Sequence, residues 1–421
     1  SAGEKAGHAQ VQIWRNWPLS GGGDRDLIAA RPRPDGRPLS IRTPARSAGF
    51  SWQGVQRVPL RQAPLRQAQG AVSPSNRRQA PLRQAQGAVS LSNRRVVVSD
   101  RVGLILPASL CAGQIARLAA QRLNQLGLGK AQGISRFAAL VHTEGCGGSI
   151  EAEFVDTMLG YLAHPLAAAC LVLEHGCEIS HNDFWRLRMR EAGLKPEEVG
   201  WASVQLDGGI ERVLANIEAW FTAECQKLSG PEVITAGFAE LRMGLMSGGG
   251  VDQETGTALA TLTQQIAGAG GRVILPVSDP LAMNDAFVQT LPMEKNEPPT
   301  AAFAQRDTKP SFHLMANPAS SWSETMTGLG AAGVELIIAV CSRHAQQSHP
   351  FIPVLQVASQ DPPSRPFHAD MDLLLAGDAP QRMEQLLVQL SAVLSRTKTP
   401  KAGRENNISF QITRGQLGVS L

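Results

Sequence analysis

FAALVHTEGCGG at residues 137–148 and ACLVLEHGCE at residues 169–178 decide the fold. Each is a short apolar run followed at once by polar and sulfur-bearing side chains. An apolar run without polar alternation, bounded by turn residues, reads as a strand buried on both faces, as in parallel sheets. His142, Cys146, Cys177 and Glu178 then fall at the carboxyl ends of neighbouring strands, where open α/β sheets place their ligands. Two thiols, an imidazole and a carboxylate arriving together point to metal chemistry.

The same texture extends outward in both directions. Residues 101–107 form a buried strand ending at proline, and 111–126 carry Ile115, Leu118, Ala119, Leu123 and Leu126 at helical spacing. Helices over 151–162 and 182–192, a strand over 201–206 and a helix over 210–226 complete one strand–helix series. Ser229-Gly230-Pro231 marks a break. A second series follows: strand 238–246, helix 256–269, strand 272–276, a polar excursion over 291–311, helix 323–332, strands 334–340 and 354–357, an amphipathic helix over 380–397 and a last strand at 408–412. This alternation predicts two Rossmann-like three-layer α/β/α domains with mainly parallel sheets, over 96–229 and 230–421.

The first hundred residues differ. They hold 16 of the 40 Lys+Arg but only 5 of the 36 Asp+Glu, so this segment alone makes the chain basic. Within it QAPLRQAQGAVSPSNRR (62–78) repeats as QAPLRQAQGAVSLSNRR (79–95), differing only at Pro74 against Leu91. Two units so poor in apolar residues cannot build a repeat core, and composition predicts a disordered basic segment over 1–95. Its arginines lack interleaved aromatics, so nucleic acid is not an expected partner. No apolar run reaches the roughly 18–20 residues of a membrane span, and the N-terminus has no apolar signal core. Six cysteines without a CxxC pair suit a reducing compartment. A cytoplasmic protein with no membrane partner is expected.

Among the candidate residues, His142 and Cys146 stand four positions apart in a loop opening into a helix, where both could face one ion. Gly145 and Gly147 would let backbone N–H groups approach an anion. The alternative is a glycine-rich turn with a packed cysteine. Cys177 is a candidate thiolate ligand and Glu178 a ligand or base, with His175 and His181 nearby. Alternatively Glu178 caps the next segment and Cys177 is core. Cys111, at a helix start, Cys170 and Cys225 are expected to be structural. Gly208 and Gly209, and Gly249 and Gly250 before Asp252, form two further turns at strand ends that could cradle a carboxylate. Arg343 follows another strand end.

Together these residues resemble the altronate/galactarate dehydratase family, which also contains the large subunit of sulfolactate sulfo-lyase. HTEGCG is similar to the family's H-x-x-G-C-G loop and HGCE to its G-x-G-C-E. SGGG (247–250) with DQETG (252–256) resembles C-G-G-S-D-x-x-S-G, and FHLMANP (312–318) with TMTG (325–328) resembles M-D-T-P and a V-T-G helix. PDGR (34–37) with Ile41-Arg42 is similar to a D-G-R-x-G-V-R-N lead-in that in the family runs straight into the first strand. The resemblance implies metal-dependent dehydration of a sugar acid such as altronate or galactarate, with Fe(II) or alternatively Mn(II). Sulfolactate cleavage, or binding without turnover, are its alternatives. It implies His142, Glu178 and Asp252 as catalytic, Cys146, Cys177 and His142 as metal ligands, and Gly145, Gly147, Gly208, Gly209, Gly249, Gly250 and Arg343 as substrate contacts. A homo-oligomer and a separate small β-rich subunit are further expectations. The chain departs from the pattern at Ser247-Gly248, where the family has cysteine, and at CSRHAQQ (341–347), where it has G-R-G-T-P-x-G.

Overall fold

The structure, a computed structural model, describes residues 50–57, 96–146, 150–291, 300–306, 310–318, 320–359 and 368–413. Residues 46–421 group as one compact unit. Most of the segment expected to be disordered, with its tandem repeat, lies outside the described residues. The expectation is corrected at its one described stretch. Trp52–Arg57 is a strand, β1, pairing antiparallel with β2 (Val96–Val98) and with β7 (Val233–Ala236). Trp52 and Val55 are buried in different core clusters, and two apolar residues three positions apart give no strand period.

The first sheet comprises β3 (Val102–Pro107), β4 (Arg136–Ala139), β5 (Ala167–Glu174) and β6 (Gly200–Ser203). All its pairs are parallel, in the order β4-β3-β5-β6. Its connecting helices are α1 (Leu110–Gln125), α2 (Ala152–Leu162), α3 (Asn182–Glu191) and α4 (Ile210–Lys227). Ile105 packs with α1 and α4, while Leu104 and Leu106 face α2 and α3. This is the two-residue alternation of a strand buried on both faces.

The second sheet is also parallel, with seven strands in the order β10-β11-β9-β8-β12-β13-β14. They are β8 (Arg242–Ser247), β9 (Arg272–Pro276), β10 (Thr300–Ala301), β11 (Ser311–Met315), β12 (Leu336–Val340), β13 (Val354–Ser359) and β14 (Leu373–Leu375). Helices α5 (Gln253–Ala269), α6 (Asp285–Thr290) and α8 (Ala379–Leu394) pack with one face, and α7 (Trp322–Ala331) packs with the other. A final short helix, α9 (Lys401–Arg404), follows.

The two expected domains therefore share a layer. One continuous core joins Leu104, Met158 and Trp185 of the first series to Met326, Leu329 and Ile337 of the second. At its centre α2 meets α7. A Cβ on Gly160 would come within 2.4 Å of the Ala331 carbonyl oxygen. The Tyr161 hydroxyl donates to Thr327 O at 2.9 Å and lies 2.8 Å from His349 Nε2. Glu335, 1% exposed, accepts from Ser99 N–H (2.7 Å) and pairs with Arg242, fixing the strand starts of both sheets.

Two smaller expectations change. Residues 408–412 make only an isolated bridge, Ser348 to Ile408, rather than a strand. The polar excursion hides β10 and the start of β11, whose pairing depends on a neighbour across the sheet rather than on local pattern.

Gly160→Ala should lower stability by about 1–3 kcal/mol, because backbone must move to admit a methyl group; thermal denaturation reads this as a lower Tm. Arg57 and Val96 are Cα partners across the ladder. Replacing residues 58–95 with a short hairpin turn should therefore leave the Tm unchanged within a few degrees.

Candidate metal centre

At the carboxyl ends of β3, β4 and β5 three cysteines meet: Cys111 in the first turn of α1, and Cys146 and Cys177 in the loops after β4 and β5. The Sγ atoms of Cys111, Cys146 and Cys177 all lie within 4.8 Å of one another. The Cys111 thiol donates to Cys146 Sγ at 3.3 Å. The hydrogen bond to Cys146, burial and the neighbouring Cys177 push the Cys111 thiol up to about 12. Metal–sulfur bonds of about 2.3 Å in a tetrahedral site place sulfurs about 3.8 Å apart, so this spacing fits a single ion with one position open. Cys111, expected to be structural, is the member that sequence reading missed. Its signal was positional: it follows the end of β3 as Cys146 and Cys177 follow β4 and β5. Cys170 and Cys225 are buried, as expected.

The loops are knitted together by groups that the sequence had assigned to chemistry. Glu178 is buried, and its carboxylate accepts from His175 N–H (2.7 Å), Gly176 N–H (2.6 Å) and the Ser109 hydroxyl (3.1 Å). Burial alone would raise its pKa; the backbone N–H groups of residues 175, 176 and 178 and the Ser109 hydroxyl outweigh it and hold the carboxyl below the ordinary range. Glu178 thus ties the β5 loop to the β3 loop as a fixed anion. The Ser180 hydroxyl donates to Ala108 O (2.9 Å), and Leu110 N–H donates to Glu144 O (2.8 Å). Gly145 has φ +88°, and a Cβ there would lie 2.4 Å from Ala108 O. Only glycine lets the β4 loop pass this close to the β3 loop.

His142 is 2% exposed and also structural. Glu144 N–H donates to its Nδ1 (3.1 Å), so Nε2 carries the proton and donates to Pro107 O (2.9 Å). Burial pushes it down to about 4, against the opposing pull of Pro107 O and Glu144. A neutral imidazole with both nitrogens engaged holds the loop, and neither is left for a metal or a substrate proton. The imidazole beside the thiols is His175, half-buried, with Nδ1 3.4 Å from Cys177 Sγ.

The remaining predicted residues sit at other strand ends. Gly208 and Gly209 form the turn before α4, with Gly209 at its N-cap. Asp252 is the N-cap of α5. It accepts from Thr255 N–H and Oγ1 and pairs with the buried Arg382 at 2.7 Å. Despite partial burial, these bonds hold its carboxyl below the usual range. That role is architectural, as the residues it binds are helix and core groups. Gly249 and Gly250 belong to the turn after β8, and Ser342 donates to Gly248 O (3.3 Å) there. Ser247 gives its N–H (2.6 Å) and its hydroxyl to the buried Asp279. Burial pushes the Asp279 carboxyl up to about 6, against these donors. Arg343 is exposed after β12, and Gly147 lies outside the described residues.

Glu178→Gln should cost about 1–3 kcal/mol at neutral pH, the range for disturbing a buried hydrogen-bonded charge. Because the folded pKa is depressed, the wild-type advantage is full above the ordinary carboxylate pKa. It is lost as pH falls through the folded value. Urea denaturation of both proteins at pH 7 and below pH 4 should show the two curves converging in acid.

Residues 92–229 match the family model described as the D-galactarate dehydratase/altronate hydrolase second domain. No curated protein is similar enough to match the chain. The matched residues contain β3 to β6, the loops between them and all three clustered thiols. Residues 92–229 are thus similar to a D-galactarate dehydratase/altronate hydrolase second domain, and the match covers about a third of the chain.

Proposed function

We propose that this protein is a metal-dependent hydro-lyase that dehydrates a sugar acid such as altronate or galactarate. The observation that carries the reading is the convergence of Cys111, Cys146 and Cys177 within 4.8 Å at three neighbouring strand ends, inside the family domain. The three thiolates would hold one divalent ion and leave a coordination position for the substrate. Soft sulfur donors suit Fe(II) or Zn(II) better than Mn(II), so iron is the favoured member of the expected pair.

A bound ion supplies Lewis acidity, stabilising the negative charge that develops on the substrate carboxylate when the adjacent carbon loses its proton. The chain's own residues do the rest. To His175, whose Nδ1 lies 3.4 Å from Cys177 Sγ, we assign the role of accepting that proton. Loss of hydroxide from the next carbon, as water once protonated, leaves an enol that tautomerises to the 2-keto acid. Glu178 and His142 keep the three loops in register while this happens. The loop β4–α2 is also held from the C-terminal segment, where Gln411 Nε2 donates to Thr143 Oγ1 at 2.9 Å.

Anaerobic reconstitution with Fe(II), metal analysis and assays with altronate and galactarate test the reading, with and without a separate small β-rich partner. About one ion per chain and a 2-keto product are expected. Cys111→Ser should lose bound iron and reduce turnover by about 100-fold or more, since even outer-shell changes at metal sites cost about 10–100-fold. Cys170→Ser, deep in a strand, should change neither. Absence of iron binding, or a Cys111→Ser variant equal to wild type, overturns the proposal. Iron bound without product favours the second reading, a binding protein of the same family. The Ser247 hydroxyl supports that reading, because where the family carries a thiol it is already committed to Asp279.

A further inference from the structure

A cavity of about 810 Å3 runs along β4, the free edge of the first sheet, and none of the three clustered cysteines lines it. Its volume is that of a small-molecule site. A strand does not suit this edge. The Asn124 side chain accepts from Phe137 N–H at 2.7 Å and donates to Phe137 O at 2.9 Å, occupying the backbone groups an added strand would need.

The lining is cationic. Arg117, Arg136, Arg396 and Lys398 all reach it, against the single carboxylate of Asp100. Asp100 is 8% exposed and bonds both Arg136 (2.7 Å) and Arg396 (3.2 Å), whose side chains remain 37% and 39% exposed. One buried carboxylate thus orients two guanidinium groups toward solvent and neutralises only one. The surplus is felt nearby: burial and then repulsion from Arg396 lower the pKa of Arg101. Arg396 stands just past the end of α8 with φ +60°. Glycine is the usual residue at such a left-handed helix end. An arginine there bears strain and gains a position from which it bonds Asp100 in the cavity lining.

We propose that this cavity binds a compact organic dianion, a dicarboxylate or a phosphate monoester, at a site separate from the thiols. Arg117, Arg136 and Arg396 supply the recognition, and Lys398, whose Nζ donates to Asp372 O and Gln389 Oε1, adds its charge to the lining. The pairing of guanidinium forks with carboxylate or phosphate oxygens supplies the recognition. The assignment does not rest on the lyase reading.

Calorimetric titration of the full chain at low ionic strength tests it, with succinate and inorganic phosphate as probes. Succinate lacks the hydroxyl group with which a sugar acid would chelate a metal. Saturable binding of at least one probe is expected, weakened about tenfold by Arg117→Gln and by Arg396→Gly, the loss of one charged hydrogen-bond donor each. Glycine relaxes the backbone at 396 and Arg117 is exposed, so both variants should fold, which their melting curves check. The tighter probe identifies the ligand class. If neither probe binds, or if binding is the same in both variants, the proposal is overturned.

Discussion

The close approach of α2 to α7 holds this protein together. Gly160 lies against the Ala331 carbonyl, and the Tyr161 hydroxyl spans to Thr327 O and His349. Without a side chain at 160 the helix backbones come near enough for one apolar layer to serve two parallel sheets. Both sheets then need fewer covering helices than two independent three-layer domains would. Burial of Leu104 and Leu106 on one side of this layer and Ile337 and Ala339 on the other makes the halves mutually dependent. The position of the first sheet's strand ends follows from that packing.

Those strand ends carry the three thiols, and their convergence depends on groups outside the cluster. Glu178, an anion fixed by three donors on two loops, sets where the β5 loop stands relative to the β3 loop. His142 does the same for the β4 loop through Pro107 O and Glu144 N–H. Gly145 permits the approach that these bonds require. Thiols brought together this way would repel as thiolates, and a divalent cation removes the repulsion. Ligand convergence and loop locking are two aspects of one arrangement.

Much of the fold was legible in the sequence. The apolar runs at 102–107, 167–174 and 336–340 are strands because continuous apolarity over so few residues fits a position buried on both faces. The periodic segments at 110–125 and 379–394 are helices, but the first buries Ala112, Ala116, Ala119, Ala120 and Leu123, and Leu118 and Leu126 of its expected face are exposed. Less legible were Trp52–Arg57, β11 and β14, whose strand character comes from partners distant in the chain. In the site, Cys146 and Cys177 were correctly brought together. His142, Glu178 and Asp252 have the residue types of catalysts, yet their hydrogen bonds are spent on architecture. A side chain's type in the sequence does not reveal how many of its polar atoms folding will engage.

The sequence by itself determined the class of the fold, the strand ends at which chemistry-bearing residues would appear, and the resemblance that the match over 92–229 bears out. Hydrophobic period and motif spacing are local properties, and they survive without a partner. The tertiary structure decided which thiols meet. Cys111 is 35 residues from Cys146 and 66 from Cys177, and parallel pairing of β3 with both β4 and β5 brings all three to one edge. It also decided that the two halves share a core, and that four cations line one cavity around a single buried carboxylate. Distances between residues far apart in the chain are set by packing and strand register, which no local pattern encodes.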